Sequence, residues 1–424
     1  MNGILLENIN LDDRPVDILI RDGRIARIAV PKSLGASFKG EHLDCRGKAV
    51  IPGLINMHTH AGMAMMRGLG EDIAFHEWIQ RIWDVESHID DEYVYMATKV
   101  ACLEMIKTGT TCFNDQYWNI PAARKAINEL GLRSFNSYVL LDNGDSDEVE
   151  RQKAECLRLY EESLSWGPLN TFTLGIHAIY SVCEELILWG THFAREHGLK
   201  IHLHLSETQK EVEDCKTLHG GMTPVEYLDS LGVLGSDVIA AHTLWLSDND
   251  IEILGKHHVT CVHNVNSNLK LSSGYKFKAA ELSAAGANVC IGTDGCASSN
   301  NLDMLEAMKT SALLQKAWRK DPTAMPLGVL LDTATANGAK ALGLEAGVIK
   351  EGAIADLAII NLNSSFFMSS APMLANLVYS AHSDCVESLI VNGRFVMRDR
   401  VVPGEDEILA DARRIIRIFQ SKLG

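Results

Sequence analysis

The middle of the chain alternates short apolar runs with longer stretches of helical character, and that alternation limits its fold more than any other feature. Runs of strand length lie at 171–176, 201–205, 238–241, 260–263 and 288–291, and helical stretches at 91–108, 122–130, 183–196, 224–231 and 302–314. Apolar strands separated by crossover helices build a parallel sheet with helices on its faces. A closed (β/α)₈ barrel of the TIM type is the expected form, and there the chemistry gathers at the C-terminal ends of the strands.

The two ends of the chain read differently. Segments 5–9, 16–21 and 24–28 are strand-like, with an Asp22-Gly23 hairpin turn, and 354–360 and 386–391 repeat the texture before the turn Asn392-Gly393. Asp-Gly and Asn-Gly supply the positive φ angles that tight hairpins need. Two β pieces at opposite ends must meet to bury their apolar faces. The expected organisation is therefore a small β-sandwich from residues 1–54 plus 347–424, and a barrel over 55–346.

Composition excludes several classes. A net charge of −16 over 424 residues argues against a nucleic-acid partner, because phosphate binding needs clustered Lys and Arg. Apolar runs such as 49–55 fall well short of the roughly 18 residues of a membrane span. The N-terminal segment from Met1 to Glu7 lacks a basic region followed by an apolar one, so no signal peptide is expected. The 10 cysteines are scattered without a Cys-x-x-Cys pair, as in a reduced cytoplasmic protein.

The polar residues that matter fall at the ends of apolar strands. His58-Thr59-His60 follows one such run, and alternation puts both imidazoles on one face. Ile201-His202-Leu203-His204-Leu205-Ser206-Glu207 offers His204 near a strand end as a ligand, with His202 deeper as barrel packing and Glu207 just beyond. His242 ends another strand, and Asp294 sits between Gly292 and Gly295 after a third. Each alone reads as an ordinary strand-end polar residue. Together, on successive strands, they form a candidate site for one divalent ion held by His58, His60, His204 and Asp294. A set of imidazole and carboxylate without thiolate suits zinc, and also iron, manganese or nickel. A structural zinc site is typically closed and rich in Cys, whereas Glu207 and His242 crowding the ion point to an open, catalytic position.

Over nearly its whole length the chain resembles the amidohydrolase superfamily, in its aminohydrolase branch. Pro52-Gly53-Leu54-Ile55-Asn56-Met57-His58-Thr59-His60 is similar to the family's opening motif, and His202-Leu203-His204-Leu205-Ser206-Glu207-Thr208 to its fifth-strand motif. Ser267-Asn268-Leu269-Lys270-Leu271 and the run from Gly292 to Met304 resemble the 5′-methylthioadenosine/S-adenosylhomocysteine deaminases. The resemblance implies a mononuclear metal on His58, His60, His204 and Asp294, with His242 beside the attacking water. It also implies that Glu86 contacts ribose hydroxyls and that His177 contacts the substrate.

These residue types suit hydrolytic deamination of a small nucleoside. A bound metal lowers the pKa of water from 15.7 toward about 7, so hydroxide is available at neutral pH. Asp294 would take the water's proton and His242 would orient the water. Glu207 would protonate the ring nitrogen and then assist ammonia, as a positioned acid and base. Three departures from the family pattern stand out. Ile176 and Ile179 flank His177 where prolines are usual, and Val265-Asn266 precedes Ser267-Asn268 where a proline is usual. Tyr138 also falls where relatives acting on S-adenosylhomocysteine carry an Arg, although Arg133 and Arg151 are near in sequence. The rival readings are another aminohydrolase or a triazine-type hydrolase (guanine, pterin or cytosine as substrate), and a barrel that has become a non-catalytic scaffold. A homo-oligomer is expected by family analogy.

Overall fold

A computed structural model describes residues 3–35 and 38–423; Met1 and Asn2, the start of the N-terminal segment read above, lie outside the described residues, as do residues 36, 37 and 424. Five strands come first: β1 (Ile4–Leu11), β2 (Arg14–Arg21), β3 (Arg24–Ala29), β4 (Glu41–Asp44) and β5 (Lys48–Pro52). Eight follow: β6 (Leu54–Thr59), β7 (Thr110–Tyr117), β8 (Arg133–Leu140), β9 (Asn170–Ile176), β10 (Ile201–Leu205), β11 (Val238–His242), β12 (Thr260–His263) and β13 (Asn288–Ile291). Three more close the list: β14 (Leu357–Asn361), β15 (Val386–Val391) and β16 (Arg394–Met397).

Strands β6 to β13 pair in sequence order, every pair parallel, with helices in the connections. The last strand returns to the first. Asp294 N donates to His58 O at 2.9 Å, and Asn56 grips Thr293 through both halves of its amide, at 2.7 and 3.0 Å. Gly292 is required at this seam, because a Cβ there would lie 2.7 Å from His58 N. The chain is thus a (β/α)₈ barrel whose first and last strands meet at two of the predicted site residues.

The chain ends form a mixed sheet in the order β16-β15-β14-β5-β1-β2-β3, with β4 also on β1. Ile4, Leu6, Ile9, Ile18 and Ile25 share one apolar cluster with Leu357, Ile359 and Ile390, so the two ends bury each other. This sheet lies against the N-terminal ends of the barrel strands. There Gly53 N donates to Asp356 O, and Arg133, at the start of β8, donates from Nε to Asp356 Oδ2 at 2.9 Å. Arg133 is accordingly at the far end of the barrel from Tyr138. The helix Glu405–Leu423, absent from the strand-like reading of the C-terminus, packs on the helix Asp91–Lys107, with the rings of Phe419 and Tyr93 4.5 Å apart.

Strands β7 and β8 do not stand out as apolar runs. Asn114, Asp115 and Gln116 in one, and Asn136 and Ser137 in the other, interrupt the pattern, and all five are buried. Buried polar side chains need partners, and the amide nitrogens of Asn114 and Gln116 find them inside the barrel. Gln116 Nε2 donates to His202 O at 2.9 Å, and Asn114 Nδ2 donates to Met57 O at 3.2 Å. Among the described residues no helix is long and apolar enough to cross a membrane. All ten cysteines are free, and nine are buried.

Candidate active site

The predicted residues converge at the C-terminal mouth of the barrel. His60, Glu86, His177, His204, Glu207, His242 and Asp294 line one cavity, and His58 lies beneath it, fully buried. Alternation along β6 and β10 aims the imidazoles inward, and three strand ends then turn sharply. Ser206, His242 and Asp294 all have positive φ, at 52°, 74° and 66°. Such backbone is uncommon for residues other than glycine and collects at functional sites.

Hydrogen bonds to the far side of each ring fix which nitrogen faces the cavity. His60 Nδ1 lies 2.8 Å from Gln116 O, and His204 Nδ1 lies 2.7 Å from His177 O. A carbonyl only accepts, so each Nδ1 carries the proton and each Nε2 presents a lone pair. Those two Nε2 atoms face each other at 3.4 Å, and Asp294 Oδ1 lies 3.3 Å from His60 Nε2 and 3.4 Å from His58 Nε2. His58 Nε2 is buried without a hydrogen-bond partner. The nitrogens of His58, His60 and His204 all lie within 4.8 Å of one another. Lone pairs and a carboxylate aimed at one point, out of water, fit a divalent cation.

His242 is oriented the other way round. The amide nitrogens of Asn268 and Asn264 donate to its Nδ1 at 2.8 and 3.3 Å, so its proton sits on Nε2. That N–H faces Glu207 Oε2 at 3.7 Å. Burial lowers the His242 pKa to about 3, so the ring is neutral at pH 7. A neutral ring with its N–H toward the cavity is a hydrogen-bond donor there.

The surroundings push the pKa values of the carboxyl groups apart. Burial first, and then the negative charges of Asp294 and Glu211, hold Glu207 well above the usual carboxylate range. Burial works in the same direction on Asp294, but the contact with His58 and the neighbouring imidazoles hold it well below that range. Ser267 Oγ and Gly295 N each donate to the Asp294 carboxylate at 2.6 Å. Two carboxyl groups pushed apart in pKa are the usual mark of an acid and a base sharing one site. Glu86, the last residue of the helix Phe75–Glu86, is pushed up to about 7 by burial, and Tyr117 Oη donates to it at 2.9 Å. His177 Nδ1 lies 2.6 Å from Ser181 Oγ.

Two neighbours were not read as functional from sequence. His202 is buried as expected of packing, yet its Nε2 is 2.8 Å from His58 Nδ1, with Asn114 Nδ2 and Ser137 Oγ on its Nδ1 at 3.1 and 3.3 Å. The alternation that placed it beside His204 gave no sign of that bond. Glu211 is buried, and its two oxygens accept from Ser206 N and Glu207 N at 2.8 and 2.7 Å, clamping the turn that carries Glu207. Its only sequence signal is an acidic residue in the first turn of a helix capped by Thr208. Tyr138 is buried beside Arg151 in a separate cleft.

A (β/α)₈ barrel that collects three imidazoles and a carboxylate around a buried acid defines a hydrolase that works with a metal. The amidohydrolase family model matches residues 49–396, and the chain belongs to that family. It is 42% identical to a 5′-deoxyadenosine deaminase of Methanoregula boonei, over 99% of this chain and 96% of that one. It is 44% identical to a 5-methylthioadenosine/S-adenosylhomocysteine deaminase of Thermococcus sibiricus, over 93% of each. Among solved structures, a zinc-bound adenosine deaminase of Xanthomonas campestris superposes with a TM-score of 0.92 at 29% identity, covering 99% of this chain and 98% of that one.

Proposed function

We propose that this chain is a zinc-dependent deaminase that hydrolyses an adenosine-type nucleoside to the inosine-type product and ammonia. The observation that carries the reading is the buried Glu207 carboxyl, held well above the usual carboxylate range, in one cavity with His60, His204 and Asp294 and 3.7 Å from His242 Nε2. Ring deamination needs a proton donor at a ring nitrogen, and displacement of a leaving group that needs no proton does not. His58, His60, His204 and Asp294 would hold the ion, which when bound supplies a water acidified from a pKa of 15.7 toward about 7.

The chain's own groups do the remaining work. Asp294 accepts a proton from the attacking water, and His242 Nε2–H directs that water through its oxygen. Water adds to the ring carbon bearing the amino group as Glu207 gives its proton to the adjacent ring nitrogen. The Glu207 carboxylate then takes up the proton that Asp294 accepted and relays it to the amine, which leaves as ammonia, and the proton of the new hydroxyl returns to Glu207 as the carbonyl forms. Glu86 accepts from the ribose hydroxyls, and His177 contacts the purine or ribose. The free space in the cavity is about 60 Å³, so a nucleoside enters only as lining side chains shift. Residues 55–346 are the catalytic unit in this reading, and 1–54 with 347–424 cover its lower end.

The test is ammonia release from adenosine, 5′-deoxyadenosine, methylthioadenosine, S-adenosylhomocysteine, guanine and cytosine by the metal-loaded protein. Turnover confined to the adenosine compounds is the expected result. Turnover of guanine or cytosine alone, or of none, would sink the reading.

A further inference from the structure

We propose that Glu211 is a positioning residue for the proton transfer: its carboxylate grips the turn that carries Glu207 and so fixes the Glu207 carboxyl over the cavity. The inference rests on the deaminase reading above and adds to it a residue that acts without touching the substrate.

The run Thr208-Gln209-Lys210-Glu211 has the spacing of a capping box, in which the acidic side chain reaches back to the backbone amide of the capping residue. Two other boxes in this chain are built that way. Glu226 Oε2 accepts from Thr223 N at 2.8 Å, and Asp250 Oδ2 accepts from Ser247 N at 2.7 Å. The Thr208 hydroxyl takes its usual part, accepting from Glu211 N at 3.1 Å. The Glu211 carboxylate is displaced. Its two oxygens accept from Ser206 N and Glu207 N at 2.8 and 2.7 Å, on the two residues before the cap. An ordinary cap serves its own helix, whereas this one is spent on the residue that carries the acid.

The turn needs such a hold. Ser206 has a φ of 52°, a conformation that residues other than glycine rarely adopt and that persists only where the surroundings enforce it. From the other side Leu244 N and Trp245 N both donate to Ser206 O, at 3.1 and 3.0 Å. Ser206 is thus gripped at its amide by Glu211 and at its carbonyl by the turn that follows His242. Glu211 is buried, and it lies outside the catalytic cavity that Glu207 lines. Burial pushes its carboxyl up to about 6, and the amides of Ser206, Glu207 and Thr208 work against that rise, so it is ionised at pH 7. Among the described residues no Lys or Arg pairs with it, and the adjacent Lys210 is bound to Asp214. Its charge therefore rests on the amides of this turn, directly behind Glu207.

The test is a double-mutant cycle on the metal-loaded, full-length protein with methylthioadenosine and 5′-deoxyadenosine. Glu211→Gln keeps one acceptor, turns an N–H toward the second amide and removes the charge. Its kcat should fall about thirtyfold while KM stays within about threefold. In a Glu207→Gln background the same change should alter kcat by less than about threefold, because the carboxyl it positions is gone. Glu226→Gln, the same loss at an ordinary cap, should leave kcat within about twofold, and zinc content should be unchanged throughout. If Glu211→Gln does not fold, Glu211→Asp, which keeps the charge on a side chain one methylene short, carries the same comparison. An unchanged kcat, an equal fall in both backgrounds, a matching fall in Glu226→Gln or a loss of zinc overturns the inference and leaves the deaminase reading intact. Absence of turnover by the unaltered protein on every adenosine compound overturns both.

Discussion

The two ends of the barrel both bury charge, and they do so in opposite ways. At the lower end Arg133 and Asp356 are almost wholly buried, and every bond is made. Arg133 Nε reaches Asp356 Oδ2 at 2.9 Å, Arg133 Nη1 donates to Pro168 O at 3.2 Å, and Asn392 N donates to Asp356 Oδ1 at 2.6 Å. At the upper end the His60 and His204 lone pairs face each other, and His58 Nε2 has no partner. A satisfied buried pair joins two parts of a fold. An unsatisfied cluster of donors is a place prepared for something else, and it is held there by strained strand ends and by second contacts such as His202 and Glu211.

That contrast can be broken from either side. The largest effect belongs to the upper end: Glu207→Gln removes the transferable proton, and kcat should fall about 10³-fold. Metal stoichiometry by elemental analysis should be unchanged in that variant, because Glu207 is outside the donor set. At the lower end Arg133→Met leaves Asp356 buried and unpaired, at a cost of about 3–5 kcal/mol in denaturant unfolding. The folded fraction should keep its kcat/KM; a matching loss of turnover would show that the two ends are not independent.

His202 separates packing from positioning. His202→Phe fills the same space but cannot bond His58, and metal affinity should fall about 10–100-fold, read by competition with a chelator. Unchanged affinity would return His202 to the role of filler. The smallest effect concerns Glu86. Its pKa is raised to about 7 from the ordinary 4.5, so between those values the folded protein holds a proton that the unfolded chain has lost. Its contribution to stability is therefore complete below about 4.5 and lost as pH rises through about 7. Glu86→Gln should flatten that part of the melting-temperature profile, and an unaltered slope would place the titration elsewhere.

Much of the upper end was legible in the sequence because its signal is local. A strand exposes alternate residues to one face, so His58 with His60, and His204 at the end of β10, announce their direction within a few residues of chain. The seam between β6 and β13 was less visible, since only the closed barrel brings Asn56 onto Thr293 and Asp294 N onto His58 O. Strands β7 and β8 were hidden by Asn114, Gln116 and Ser137, whose polarity makes sense only once His202 stands between them.

The sequence by itself determined the barrel's alternation, the β texture of both ends and the strand-end places of His58, His60, His204 and Asp294. Each of those follows from periodicity, turn chemistry or a contiguous motif. Only the tertiary structure decided which imidazole nitrogen faces the cavity, and which carboxyl is held above and which below the usual carboxylate range. Those properties depend on contacts between residues far apart in the chain, such as Gln116 O on His60 Nδ1 and Asn268 on His242. They depend also on burial, which no single segment possesses until the others close around it.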